Sequence, residues 1–418
     1  MSADGAALAT KDVRLVPLDV DYAAYRRRVI FECFKWDPQV GDANTISDHA
    51  CVLSAGTAAY LSRMAEALAA ETLALEKALA KRPDLFAELA IPRALRSLLQ
   101  RPAPAGAVRV MRFDFHPTTD GWTVSEVNSD VPGGFAEAGA LARLASRHVG
   151  GAAPAAEPAS AIVAGMITRI RRGKRIALIH ATAYTDDRQV MQYLASRLGE
   201  AGFECQFAAP DHLRWSSGRA HSIVEGAEGP IDGIVRFFPA EWMPQLPATS
   251  GWRGYFDSQA VMCNPPQALL GQSKRLPLVW DRLGVEVSAW RRALPETRDP
   301  REAPWRTDEA WLLKPAFGRV GEDIAWRGGT KAKDWRRIVR SATFWPRYWI
   351  AQKRFESRPL ATRAGPRHLC VGVFTVDGRA SGFYGRLATG PVVEKHAQDV
   401  PVLVSGLAST AEGGRYGT

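Results

Sequence analysis

The stretch VRVMRFDFHPTTDGWTVSEVN, residues 108–128, decides how the chain is read. Its flanks, Val108 to Phe115 and Trp122 to Val127, are apolar and aromatic. The intervening Pro117-Thr118-Thr119-Asp120-Gly121 favours a turn, so the segment is expected to form a β-hairpin. Strand alternation puts Arg112 and Asp114 on one face, and likewise Glu126 and Asn128. Register decides whether the two faces coincide. An odd-numbered loop such as residues 116–120 unites the four even-numbered positions, and an even-numbered loop separates the pairs. United, two carboxylates, an amide and a guanidinium suit magnesium and phosphate, because magnesium takes few protein oxygens and completes its shell with water and nucleotide. Separated, they are an exposed hairpin with ordinary salt bridges.

A second phosphate-binding signal is Leu312-Leu313-Lys314-Pro315-Ala316-Phe317-Gly318-Arg319-Val320-Gly321-Glu322. A short apolar strand, Ala310 to Leu313, delivers Lys314 into a loop whose two glycines let backbone N–H groups approach phosphate oxygens, and Arg319 adds positive charge. Neither a G-K-[ST] at Walker A spacing nor a G-x-G-x-x-G is present, which excludes those two nucleotide loops. Upstream, Asn264-Pro265-Pro266 leads into Gln272 to Trp280, read as a short helix with Lys274 near its start. The helix dipole disfavours a cation there, so Lys274 is expected to have another partner. Only 11 of the 54 basic residues are lysine, so two in motif-like settings stand apart from solvated surface charge.

With these segments in place, the chain resembles the ATP-grasp synthetase domain of the glutathionylspermidine synthase family and its stand-alone bacterial relatives. His180 through Gly202, with Thr185-Asp186-Asp187-Arg188, is similar to a family strand-loop-helix. Arg236 to Met243 resembles a Pro-x-Glu-Trp-Met segment, Asn264 to Trp280 a stretch ending in Lys, Leu-Pro-Leu and Trp, and Lys314 to Gly321 a Lys-Pro-x-Phe-Gly-Arg-x-Gly loop. The correspondence runs in order from about Val108 to Val404.

The resemblance implies an α/β fold of ATP-grasp type with an interleaved, circularly permuted organisation. Residues 1–150 would be a helical N-terminal part plus the metal-binding hairpin, 151–258 an inserted β-α-β, pre-ATP-grasp-like domain, and 259–418 the rest of the nucleotide-binding unit. It implies Asp114, Glu126 and Asn128 as magnesium ligands and Arg112 at the transferred phosphate. Lys274 and Lys314 would hold the phosphates of ATP with Arg319 nearby, Gln352 and Lys353 would lie at the adenine hinge, and Pro391, Val392 and Val393 would give apolar contacts to the nucleotide. The implied reaction joins a small-molecule carboxylate to an amine through an acyl phosphate, with Arg319 or the substrate-facing Arg386 at the oxyanion. Asp187 and Glu241 are the candidates for a cationic amine, each otherwise a solvated carboxylate or a helix cap. After Asn128 the family runs Ala-Asp-Thr-Pro-Thr-Ser. This chain has Ser129-Asp130-Val131-Pro132-Gly133-Gly134, without the hydroxyls that reach a thiol peptide, and its first hundred residues lack the Cys and His arrangement of an amidase domain. The alternatives are a ligase of the same fold joining another amino acid or peptide to an amine, and a non-catalytic nucleotide- or nucleic-acid-binding protein.

Composition fits a multidomain enzyme: 418 residues, 46% hydrophobic, supply two or three cores. The net charge of +10 comes from scattered basic residues, with Arg171-Arg172-Gly173-Lys174-Arg175 and Trp335-Arg336-Arg337 at expected helix ends, so no nucleic-acid partner is expected. Five cysteines without a C-x-x-C pair, no leader-like pattern in Met1 to Lys11 and no apolar run of membrane length point to a cytoplasmic protein. Residues 1 to 105 read as mostly helical, Asp48 to Ala80 most strongly, and Gly150 to Pro158 as a linker. Lys174 to Ala181, Arg188 to Leu198 and Phe203 to Ala209 form a β-α-β unit, with Ile231 to Phe238 a further strand. Asp377-Gly378 marks a hairpin, and the tail Ser405 to Thr418 reads as frayed. The active site is expected in the cleft where the early hairpin and the later lysines meet.

Overall fold

The computed structural model describes residues 12–36, 38–104, 106–319 and 321–407. The expectations for Met1 to Lys11 and for the tail beyond Leu407 lie outside these residues, as does Val320 of the lysine loop.

The hairpin forms and belongs to a central antiparallel sheet in the order Gln398–Val400, Arg379–Ala388, Arg367–Val376, Val110–Thr118, Gly121–Asn128. Strand Val110–Thr118 therefore pairs with Arg367–Val376, which closes the chain before and after the middle unit into one sheet. The turn at Asp377-Gly378 also forms. Both residues have positive φ, 49° and 81°, as a two-residue hairpin turn of the primed type requires.

One face of the central sheet is covered by the helix Ala55–Leu79, whose Leu61, Leu68 and Leu75 share a core with Phe113, Phe115, Val371 and Val373. That helix starts later than the expected Asp48. Ser54 caps it by accepting from Thr57 N at 3.1 Å. His49–Leu53 before it is a strand with all five residues buried, paired with Val13–Pro17 on one side and Val402–Ser405 on the other. A strand buried on both faces carries no alternation, so its apolar run merges with the helical pattern that follows. The expected linker likewise contains a short strand, Ala152–Ala153, on the far side of Val402–Ser405.

The other face packs on helix Pro158–Arg169 and on a parallel sheet ordered Val261–Cys263, Gly233–Arg236, Arg175–Ile179, Glu204–Ala208. Helix Thr185–Glu200 crosses between the last two strands, completing the β-α-β unit. The fully buried Arg236 of this sheet meets the fully buried Asp130, whose other oxygen accepts from Ala240 N at 2.9 Å. This pair ties the segment after the hairpin to the parallel sheet. A smaller sheet, Thr297–Arg298, Trp349–Lys353, Trp311–Pro315, Ala325–Trp326, has its own core with helix Ala332–Phe344, including Trp305, Trp311, Leu313, Ile338 and Trp349. Among the described residues no helix is long and apolar enough to cross a membrane, and all five cysteines are free thiols.

Candidate active site

The hairpin unites the four even-numbered side chains by a route other than an odd loop. The strands end at Thr118 and Gly121, leaving a two-residue turn, and near it Thr118 pairs with Gly121 and His116 with Thr123. That register alone would separate the pairs. A bulge at Ser125 inserts one extra residue, after which Asp114 lies opposite Glu126 and Arg112 opposite Asn128. Arg112 grips Asp114 through two bonds, Nε to Oδ1 at 2.7 Å and Nη2 to Oδ2 at 2.9 Å, and Asn128 Nδ2 donates to Oδ2 at 3.0 Å.

Both lysines reach this hairpin from later in the chain. Lys274 lies between the four-residue helix Leu269–Gln272 and the 3-10 turn Leu276–Leu278, not in one helix from Gln272 to Trp280, and it has the separate partner expected of it. Its Nζ pairs with Glu126 Oε2 at 3.0 Å and donates to the Gly318 carbonyl at 2.6 Å. Lys314 and Gln352 lie on one face of the small sheet, since Leu312 opposes Gln352 and Lys314 opposes Ile350. Lys314 Nζ donates to Gln352 Oε1 at 2.9 Å and to the Ser125 carbonyl, in the bulge itself, at 3.3 Å. Burial opposes ionisation of Glu126, but Lys274 and Lys314 outweigh it and hold the carboxyl below its usual range. Among the described residues Lys314 makes no ion pair, and burial pulls its pKa down to about 8.

These groups open onto a cavity of about 780 Å³ lined by Arg112, Asp114, Glu126, Asn128, Lys314, Arg319, Arg386, Asp187 and the Pro391-Val392-Val393 turn. Lys274 and Gln352 line a smaller crevice that shares Ser125 and Glu126 with it. The Lys353 side chain lies on the opposite strand face from Gln352 and pairs with Glu296 at 3.0 Å. Arg319 donates to Glu241 Oε1 at 2.6 Å and lies over the Trp242 ring. Glu241 is buried behind it, and burial raises its pKa against the opposing pull of Arg319. Arg386 is tethered by the carbonyls of Glu394 and Ala397 at 2.9 and 3.2 Å. Burial raises the Asp187 pKa to about 6.

The cavity wall also contains residues the motifs did not reveal: His116, Tyr384, Cys370, Phe237, the half-buried Lys35 and Glu137, and the buried Asp399. Strand alternation offers a signal for two of them, His116 two residues after Asp114 and Tyr384 two before Arg386. Burial, aided by Lys314, drives the His116 pKa down to about 3, so its imidazole is neutral at ordinary pH.

The chain is thus a mixed α/β protein of several sheets, with a cavity where lysines and arginines from distant segments meet paired carboxylates. The chain belongs to the glutathionylspermidine synthase preATP-grasp family, a ligase family whose model matches residues 23–405. Among solved structures it is similar to a glutathione synthetase-like effector from Globodera pallida in its apo form, with 10% identity, a TM-score of 0.62, and coverage of 92% of this chain and 97% of that one. At that identity the likeness shows the fold alone. A putative gamma-glutamylcysteine synthetase from Methylobacillus flagellatus KT matches at 13% identity and a TM-score of 0.46, over 78% of this chain and 88% of that chain. None of the curated proteins matches the chain in sequence.

Proposed function

We propose that the chain is a magnesium- and ATP-dependent carboxylate–amine ligase of ATP-grasp organisation that forms an amide through an acyl phosphate. One observation carries this: two lysines from separate late segments touch the early hairpin that presents Asp114, Glu126 and Asn128, Lys274 through Glu126 at 3.0 Å and Lys314 through the Ser125 carbonyl at 3.3 Å. The reading makes the central sheet and the small sheet the two sides of a nucleotide site wrapped around the unit at 151–258.

Two carboxylates and an amide oxygen on one face are hard donors that fit magnesium. Among the described residues no group of three or more His, Cys, Asp or Glu side chains forms a metal site by itself, so nucleotide oxygens would complete the shell. When bound, the ion neutralises charge on the phosphates and orients them. Lys274 and Lys314 then hold the phosphate chain, Gln352 fixes Lys314, and Arg112 faces the transferred phosphoryl group. The substrate carboxylate attacks the γ-phosphorus and ADP leaves. The amine attacks the acyl carbon, Arg386 or Arg319 receives the oxyanion, and phosphate departs carrying the proton that the nitrogen gives up.

Incubation of the protein with pooled carboxylates and amines, followed by ADP release and product mass, tests this directly. Asp114→Ala and Asn128→Ala are expected to abolish turnover, Asn128→Ala with a melting temperature near wild type and Asp114→Ala with a lowered one, because it leaves Arg112 without its carboxylate. Binding of magnesium-ATP without ADP from any pool, or near-normal rates in both variants, sinks the proposal.

A further inference from the structure

Arg112 is held on more sides than its ion pair with Asp114 requires. Its Nη1 donates to the Gly133 carbonyl at 2.6 Å, and its guanidinium carbon lies 4.7 Å from the centroid of the Tyr384 ring. The Tyr384 hydroxyl donates to Asp399 Oδ1 at 2.9 Å, Asp399 Oδ2 meets Lys35 Nζ at 2.8 Å, and Lys35 also meets Glu137 Oε1 at 2.8 Å. The ring packs against Gly134, whose φ is +99° and where a Cβ would come within 2.9 Å of the ring. Burial opposes the charge on Lys35, but Asp399 and Glu137 outweigh it and hold the ammonium in place, and Lys35 in turn helps keep Asp399 ionised. All of these side chains line the cavity.

From this we infer that Tyr384 is a positioning residue: its ring fixes the plane of the Arg112 guanidinium toward the transferred phosphoryl group, and the Lys35–Asp399 pair pins the ring. Asp114 already neutralises Arg112, so what the ring adds is direction. A guanidinium held over an aromatic face has its donors aimed before the reaction begins. The pin also gives a reason for a half-buried lysine between two carboxylates. Asp399 meets the ammonium with one oxygen and the tyrosine hydroxyl with the other, and Glu137 holds the ammonium from its far side. The kinetic part of the inference rests on the ligase reading above.

Three variants of the full chain separate the parts: Tyr384→Leu removes ring and hydroxyl, Tyr384→Phe keeps the ring, and Lys35→Met cuts the pin at its far end. With an acid–amine pair that releases ADP, Tyr384→Leu is expected to lower kcat about 30-fold, the scale of a desolvated cation–π contact, with the magnesium-ATP Kd changed less than about twofold. Tyr384→Phe should recover most of that loss. Independently of turnover, the Arg112 side-chain N–H resonances, assigned with Arg112→Lys, should exchange slowly in wild type and broaden in Tyr384→Leu and, more weakly, in Lys35→Met. Equal losses in kcat and nucleotide affinity, or Arg112 signals unchanged in folded Tyr384→Leu, overturn the inference. If Tyr384→Leu does not fold, the other two variants carry both readouts. Absence of ADP with every pair would remove the ligase reading alone, because the resonance measurement needs no substrate.

Discussion

Replacing Lys314 with methionine should make the ligand-free protein more stable and the nucleotide site weaker. Lys314 is 4% exposed, and its ammonium has only Gln352 Oε1 and the Ser125 carbonyl as hydrogen-bond acceptors among the described residues. Burial is the largest influence on it and lowers its pKa from 10.5 to about 8. At about 1.4 kcal/mol per pH unit, keeping this charge costs the fold about 3 kcal/mol at neutral pH. Methionine fills a similar volume and removes that cost, and leaving the Gln352 oxygen unbonded returns about 1–2 kcal/mol. The net gain is about 1–2 kcal/mol. The native state releases the Lys314 proton near pH 8 and the unfolded chain near 10.5, so between these values the unfolded chain binds more protons and wild-type stability rises with pH. The cost is therefore full below pH 8 and gone above 10.5, and the melting temperatures of wild type and variant should converge across that window. Losing a charge-assisted bond to phosphate, about 1.5–3 kcal/mol, should weaken magnesium-ATP binding about 10- to 150-fold. Calorimetry at pH 7 and pH 10, with and without magnesium-ATP, measures both effects. A variant less stable than wild type at pH 7 that binds magnesium-ATP equally well would refute the reasoning.

Asp130→Ala strands Arg236 as an uncompensated buried charge and should destabilise the protein by about 3–5 kcal/mol, read as a lowered urea midpoint; a change below about 1 kcal/mol would mean the pair is not holding the segment. Gly134→Ala pushes a methyl toward the Tyr384 ring at a positive φ, for a cost of about 1–3 kcal/mol and a shift in tyrosine near-ultraviolet dichroism; an unchanged spectrum with unchanged stability would count against the packing described. Asp187 must be ionised to attract an amine, so kcat/KM for the amine should fall below about pH 6 in wild type and lose that limb in Asp187→Asn; a limb that persists removes Asp187 from the amine's surroundings.

The residue types at the site were legible where chemistry and spacing coincide, at Arg112, Asp114, Glu126, Asn128 and Lys314. Their union was not, because it depends on the Ser125 bulge, and a bulge is a backbone choice without a side-chain signature in this stretch. Lys274 stood out in the sequence, but the single short helix expected around it is not what the chain forms. The helix that precedes it is only four residues long, too short for apolar periodicity to place its ends. His49–Leu53 shows the reverse problem, a buried strand hidden by the long helical pattern after it, although Ser54 is a readable cap. Lys35, Glu137 and Asp399 lie far apart in sequence and carry no motif, so only the folded chain brings them together.

Strand Val402–Ser405 lies between His49–Leu53 and Ala152–Ala153, and strands from Arg367 onward complete the sheet that holds Arg112. On the ribosome, the segments made first must therefore wait, with open edges, for partners translated last. A nascent chain lacking those strands has neither sheet closed, so premature termination yields a species prone to edge-to-edge association and a client for holding chaperones.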